Sequence, residues 1–232
     1  MRNIINLLKY NIGKYNVGGN KSFYIIGIFI LFINTIGTFV KTPILSGITF
    51  ALSTTFTIIF LVVNFIVAIS SFVKQISKEN GKLLFTFPIK PYEFIIAKIL
   101  EFSIIQVIIV LITYIATIFS GNSLVNLIKL PSVVVMFVTI VSYIMGISFI
   151  VIFLSYIKSV SLTIILAILG GGIVQSIVKE IINSITKFFP YLYMKIGSFV
   201  EIDIIYLLLS LGWIIFLVYM AIYHLDRKLD II

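Results

Sequence analysis

Six apolar runs, at about 22–40, 48–73, 94–119, 131–155, 159–178 and 204–223, constrain this chain more than any other feature. A helix needs about 18 or more apolar residues to cross a hydrocarbon layer of roughly 30 Å, and runs of this length reach it. A soluble core offers no alternative home for them. Of 232 residues 61% are hydrophobic and 11% are charged, with a mean hydropathy of +1.23, whereas a soluble domain carries about a quarter charged residues. Lipid is therefore the solvent, and the expected fold is all-α: a polytopic membrane protein of six spans forming a single transmembrane domain over 1–232.

The breaks between runs carry turn chemistry: Lys41-Thr42-Pro43, Pro88 and Pro91, Gly121-Asn122-Ser123 before Pro131, Lys158, and Pro190 inside a longer polar connection over 179–203. The net charge is +9, from 17 Lys and Arg against 8 Asp and Glu. These cations lie between the apolar runs rather than on one face. That pattern reads as orientation and contact with anionic lipid, not as nucleic-acid binding. With the N-terminus in the cytosol, twelve cations fall inside: Arg2, Lys9, Lys14, Lys21, Lys74, Lys78, Lys82, Lys90, Lys98, Lys158, Arg227 and Lys228. Five fall outside: Lys41, Lys129, Lys179, Lys187 and Lys195. The positive-inside rule then puts both termini in the cytosol, as an even number of spans requires.

Residues 1–20 read as an interfacial helix rather than a signal peptide. Ile4, Ile5, Leu7, Leu8, Ile12 and Tyr15 share one arc, with Arg2, Asn6, Lys9, Gly13 and Lys14 opposite. No unbroken apolar core follows Arg2, and no small-residue cleavage site is present.

Chemistry-bearing motifs are sparse. Cysteine is absent, which excludes disulfides and thiolate metal sites. Neither Gly13-Lys14 nor Gly81-Lys82 is followed by Ser or Thr, as a phosphate-binding loop requires. No HExxH or Gly-x-Ser-x-Gly occurs, and one histidine cannot form a histidine-rich metal site. The expectation is a chain that is not an enzyme, with no catalytic, cofactor or metal residues. His224, beside Asp226, Arg227 and Lys228, is expected to be solvated at the cytosolic end of the last span.

Within the spans Asn34, Asn64, Gln106 and Gln175 are expected to hydrogen-bond between helices. Gly170-Gly171-Gly172 lies inside the fifth run. Ala167 with Gly171 and Gly172 with Ser176 repeat the spacing that lets membrane helices approach, so close packing is the primary reading and a hinge the alternative.

The most informative stretch is 74–101. Pro91 suits the first turn of a helix, and Glu93 suits its positive end. From Pro91 to Phe119 is 29 residues, or about 43 Å of helix against the roughly 30 Å of hydrocarbon. The excess places Lys98 and Glu101, one turn apart, near the inner interface as a solvated or paired set of charges.

Between the second and third spans, over 74–93, stand Lys78-Glu79-Asn80-Gly81, then Leu83-Leu84, Thr86-Phe87-Pro88 and, in the next span, Ala97-Lys98. This order resembles the cytosolic coupling segment of the membrane subunits of ABC-2-type ATP-binding cassette exporters: acidic-x-Gly, leucines, a Pro, and a Lys in the following span. Asn80 and Lys82 depart from the residues often found beside the Gly. The resemblance implies an elbow helix over 1–20, a coupling segment marked by Lys78, Glu79, Gly81, Leu83, Leu84 and Pro88, and an extracellular connection over 179–203. It further implies a permease that exports a hydrophobic or amphipathic peptide, drug or lipid-like substrate across a bacterial cell membrane. A second permease copy or homologue and a cytosolic ATPase would be its partners, with ATP and Mg held by the ATPase. Two other classes stay open: an ion-coupled carrier or channel, against which the lack of carboxylates at span centres counts, and a non-transporting assembly or immunity factor.

Overall fold

The computed structural model describes residues 4–6, 25, 27–29, 32, 36, 43–76, 90–119, 125–157, 159–189, 193–196 and 200–227. Five long helices dominate: α1 Pro43–Ile76, α2 Pro91–Phe119, α3 Val125–Leu154, α4 Val160–Thr186 and α5 Ile204–Arg227. Strands β1 Tyr193–Ile196 and β2 Val200–Asp203 stand between α4 and α5. Each of the five helices contains a segment long and apolar enough to cross a membrane. The first apolar run lies mostly outside the described residues, as does most of 1–20. Where described, both are helical.

Helix is the form these runs must take, because a backbone in hydrocarbon has to satisfy its own N–H and C=O groups. Side-chain hydroxyls follow the same rule by bonding back into the preceding turn. Thr55 donates to Ala51 O at 2.9 Å, Ser148 to Ile144 O at 2.8 Å and Thr139 to Met136 O at 2.9 Å. The α3 helix starts six residues before Pro131 and continues through it, where a break was expected. Proline deletes only the bond to the Leu127 carbonyl, and the neighbouring bonds of a 30-residue helix span the gap.

The chain divides into two compact units, Met1–Tyr143 and Ile144–Ile232. In the first, α1 buries a seam of Thr54, Thr57, Leu61, Asn64, Ala68, Phe72 and Ile76. That three-and-four spacing is one helix face. Phe60 and Leu61 pack with Ile109 and Val110 of α2 and with Met136 of α3. Gly27 in the first run lies under the Phe60 ring, so close that a Cβ there would overlap the ring.

In the second unit, Phe149 and Phe153 of α3 meet the glycines of α4. A Cβ on Gly171 would fall 3.0 Å from Phe149 Cδ2, and one on Gly170 would fall 3.3 Å from Phe153 Cζ. Gly172 faces open space. The triple glycine is helical throughout, and Gly170 and Gly171 lie against the α3 rings. The α4 helix continues to Thr186, leaving the connection before α5 shorter than the 179–203 read from composition. Within it, two four-residue strands pair as an antiparallel hairpin, Tyr193 opposite Asp203 and Ile196 opposite Val200. Asp203 then caps α5, its Oδ1 accepting from the N–H of Ile205 at 2.9 Å and of Tyr206 at 3.1 Å.

Candidate functional site

The start of α2 is built as its sequence requires. Pro91 occupies the first helical position, and the Lys90 carbonyl accepts from the N–H of Glu93 at 2.9 Å and of Phe94 at 3.2 Å. The Glu93 carboxylate reaches back to accept from the Lys90 N–H at 3.2 Å. That reciprocal arrangement satisfies amides at the helix N-terminus and sets a negative charge against its positive end.

One turn further in, Lys98 Nζ donates to Glu101 Oε2 at 2.7 Å. Both side chains are buried, with 6% and 5% of their surface exposed, so protein rather than solvent surrounds this pair. An aromatic shell lies around the same turns. Phe94 stacks on Phe72 of α1 at 6.0 Å between ring centroids, and Phe102 stacks on Tyr143 at 4.2 Å and meets Phe65 edge-on at 6.4 Å. A half-buried ion pair would lose little by breaking in water; a buried pair cannot be broken without leaving a charge in a low-dielectric medium.

Deeper along α2, Gln106 is fully buried and its Nε2 donates to the Leu61 carbonyl of α1 at 3.2 Å. In the second unit Gln175 Oε1 accepts from Trp213 Nε1 at 3.1 Å, tying α4 to α5. These two amides bridge helices. Asn64 is buried on the α1 seam, and Asn34 lies outside the described residues.

His224 departs from its expected place in solvent. It is 2% exposed, and its Nδ1 lies 3.0 Å from Ser155 Oγ, with the rings of Tyr156 and Tyr223 at 5.4 and 5.8 Å. Ser155 Oγ also donates to Ile152 O at 2.6 Å. A hydroxyl has one proton, so the Ser155 oxygen accepts from His224 and places a proton on Nδ1. The charged neighbours in the sequence suggested solvent. The tertiary structure instead turns this face of α5 against the turn that ends α3.

The residues marked by the family resemblance fare differently. Lys78, Glu79, Gly81, Leu83, Leu84 and Pro88 lie outside the described residues. What the structure does define is the pair of helix ends that flank them, Ile76 of α1 and Lys90 before α2, and these elements are packed together through Phe72 and Phe94. Among the described residues no three His, Cys, Asp or Glu side chains are grouped to hold a metal.

The Asp203 cap and the hairpin were missed in the sequence, though both left signals. An acidic residue immediately precedes the last apolar run. Val200-Glu201-Ile202-Asp203 alternates apolar and charged residues after Gly197-Ser198.

Comparison with protein-family models, with curated proteins and with solved structures finds no match. The fold itself defines the class: a helical, polytopic, membrane-embedded protein.

Proposed function

We propose that the chain is the membrane-spanning permease subunit of an ATP-driven ABC-2-type exporter. In this reading the first apolar run completes six spans, both termini face the cytosol of a bacterial cell, and residues 1–20 form the elbow helix. A second permease copy or homologue and a separate cytosolic ATPase carrying ATP and Mg complete the transporter. The cargo is hydrophobic or amphipathic.

The observation that supports this reading is the junction of α1 and α2. The connection over 77–89 carries the acidic-x-Gly, leucine and proline order, and it joins two long helices locked together at Phe72 and Phe94. Behind that contact lie the capped first turn of α2 and the buried Lys98–Glu101 pair. A force applied to this connection is passed to two helices as one body, because close-packed interiors transmit displacement rather than absorb it.

Co-purification tests the reading. A cytosolic ATPase should remain bound to the wild-type chain, and Glu79→Ala or Gly81→Pro should weaken that association. ATP-dependent export should appear only when both subunits are present. A chain that stays alone and moves substrate under an ion gradient would sink the proposal. The ion pair in α2 is the feature that favours such a carrier, but its two charges already neutralise each other.

A further inference from the structure

Gln106 engages one end of its amide within the protein and not the other. The side chain is wholly buried, and its Nε2 donates to the Leu61 carbonyl of α1 at 3.2 Å. Its Oε1 is buried as well and accepts from no group among the described residues. An acceptor taken out of water without a new donor keeps the full cost of its desolvation, so buried polar atoms are nearly always met by protein or by ordered water. The bond to Leu61 also fixes which end of the amide is which. Turning the amide over would set two carbonyl oxygens, both acceptors, against each other.

The position of Gln106 narrows the source of a donor. It lies 15 residues beyond Pro91, about 22 Å along α2 and inside the apolar segment Pro91–Ile112. Lipid tails carry no hydrogen-bond donor, and none reaches a side chain without exposed surface. Backbone N–H groups of both helices are bonded within their own helix. Around the same turns Leu61, Ile109 and Val110 pack with Met136 of α3 as one apolar cluster. Protein and lipid therefore offer Oε1 nothing, and water remains.

The seam on α1 has the polarity that a water requires. Thr57 and Asn64 stand about one turn either side of Leu61 on the same face, and neither has exposed surface. A hydroxyl, two side-chain amides and the Leu61 carbonyl are thus gathered over two turns of the helix pair, and a buried water in a protein makes about three hydrogen bonds to such groups. Close-packed interiors hold few voids larger than one water molecule, which sets the size of the occupant.

We infer that Gln106 holds a single water molecule in the seam between α1 and α2. The water donates to Oε1 and shares its remaining hydrogen-bonding capacity with the Thr57–Asn64 stretch of α1. The two helices are then joined at this depth by a direct bond at Leu61 and a water bridge beside it. The site is independent of the exporter reading, because neither ATPase binding nor transport enters its test.

The test uses the full chain in phosphatidylcholine bilayers, perdeuterated, back-exchanged in ordinary water and carrying isotope-labelled glutamine. The sequence has three glutamines, Gln75, Gln106 and Gln175, and Gln106→Met removes the signal in question. If that variant does not fold, Gln75→Met and Gln175→Met assign the signal by elimination. Proton-detected solid-state NMR should show a through-space cross peak between the Gln106 carboxamide carbon and a water proton. The infrared band of the labelled Gln106 carbonyl should lie at the lowered frequency of a hydrogen-bonded amide. A missing water cross peak overturns the proposal whichever way the band falls: at the free-carbonyl frequency the acceptor is unmet, and at the lowered frequency another side chain supplies the donor.

Discussion

Lys98 and Glu101 form a buried ion pair with 2.7 Å between Nζ and Oε2, one turn apart on α2, whose Phe94 and Phe102 side chains are buried as well. Removing one partner strands a charge in a low-dielectric setting, whereas removing both leaves none. Lys98→Met alone is expected to destabilise the fold by about 3–5 kcal/mol, and Lys98→Met with Glu101→Leu by far less. Unfolding of the single and double variants in mixed micelles measures the difference.

The two amide bridges should respond unequally. Gln106 donates to Leu61, but its Oε1 has no partner among the described residues, so Gln106→Leu removes a bond and an unsatisfied acceptor together. Its effect should stay below about 0.6 kcal/mol, near the average for a hydrogen bond between membrane helices. Gln175→Leu leaves the Trp213 N–H without its acceptor and should cost about 1–2 kcal/mol. Comparing the two variants under one denaturant series checks the ordering.

At the triple glycine neighbouring positions should differ in sign. Gly172→Ala meets open space and gains helix propensity, so a change between zero and about 1 kcal/mol in favour of folding is expected. Gly171→Leu must displace the Phe149 ring, costing about 1–3 kcal/mol. Thermal unfolding in detergent of both variants separates a packing surface from a flexible joint.

The single histidine offers a direct test of burial. Diethyl pyrocarbonate should modify His224 slowly in the folded chain and rapidly after denaturation, because the ring is 2% exposed. Ser155→Ala should raise the folded rate by loosening the contact that holds Nδ1. Rapid modification of the folded wild-type chain would contradict the buried placement.

Helices were legible because hydrocarbon leaves the backbone few other choices. Apolar runs at about 94–119 and 204–223 became helices Pro91–Phe119 and Ile204–Arg227, lengthened at ends where capping and polar side chains extend the helix past the apolar stretch. Pro91 and Glu93 marked the start of α2 because their effects act within one turn. The burial of His224 was not legible, because its charged sequence neighbours say nothing about which side of α5 meets another element. Nor did composition mark the hairpin, whose strands are four residues each and whose pairing depends on alignment across the turn.

The sequence by itself determined a membrane-embedded helical protein and the approximate places where its helices start and stop. Those properties follow from local quantities: apolar length, proline, and charge beside a helix end. Only the tertiary structure decided that Lys98 and Glu101 are buried, and that Gly171 meets a ring while Gly172 meets none. Each depends on which helix face turns toward a neighbour, and in an almost uniformly apolar sequence the hydrophobic pattern scarcely distinguishes one face from another.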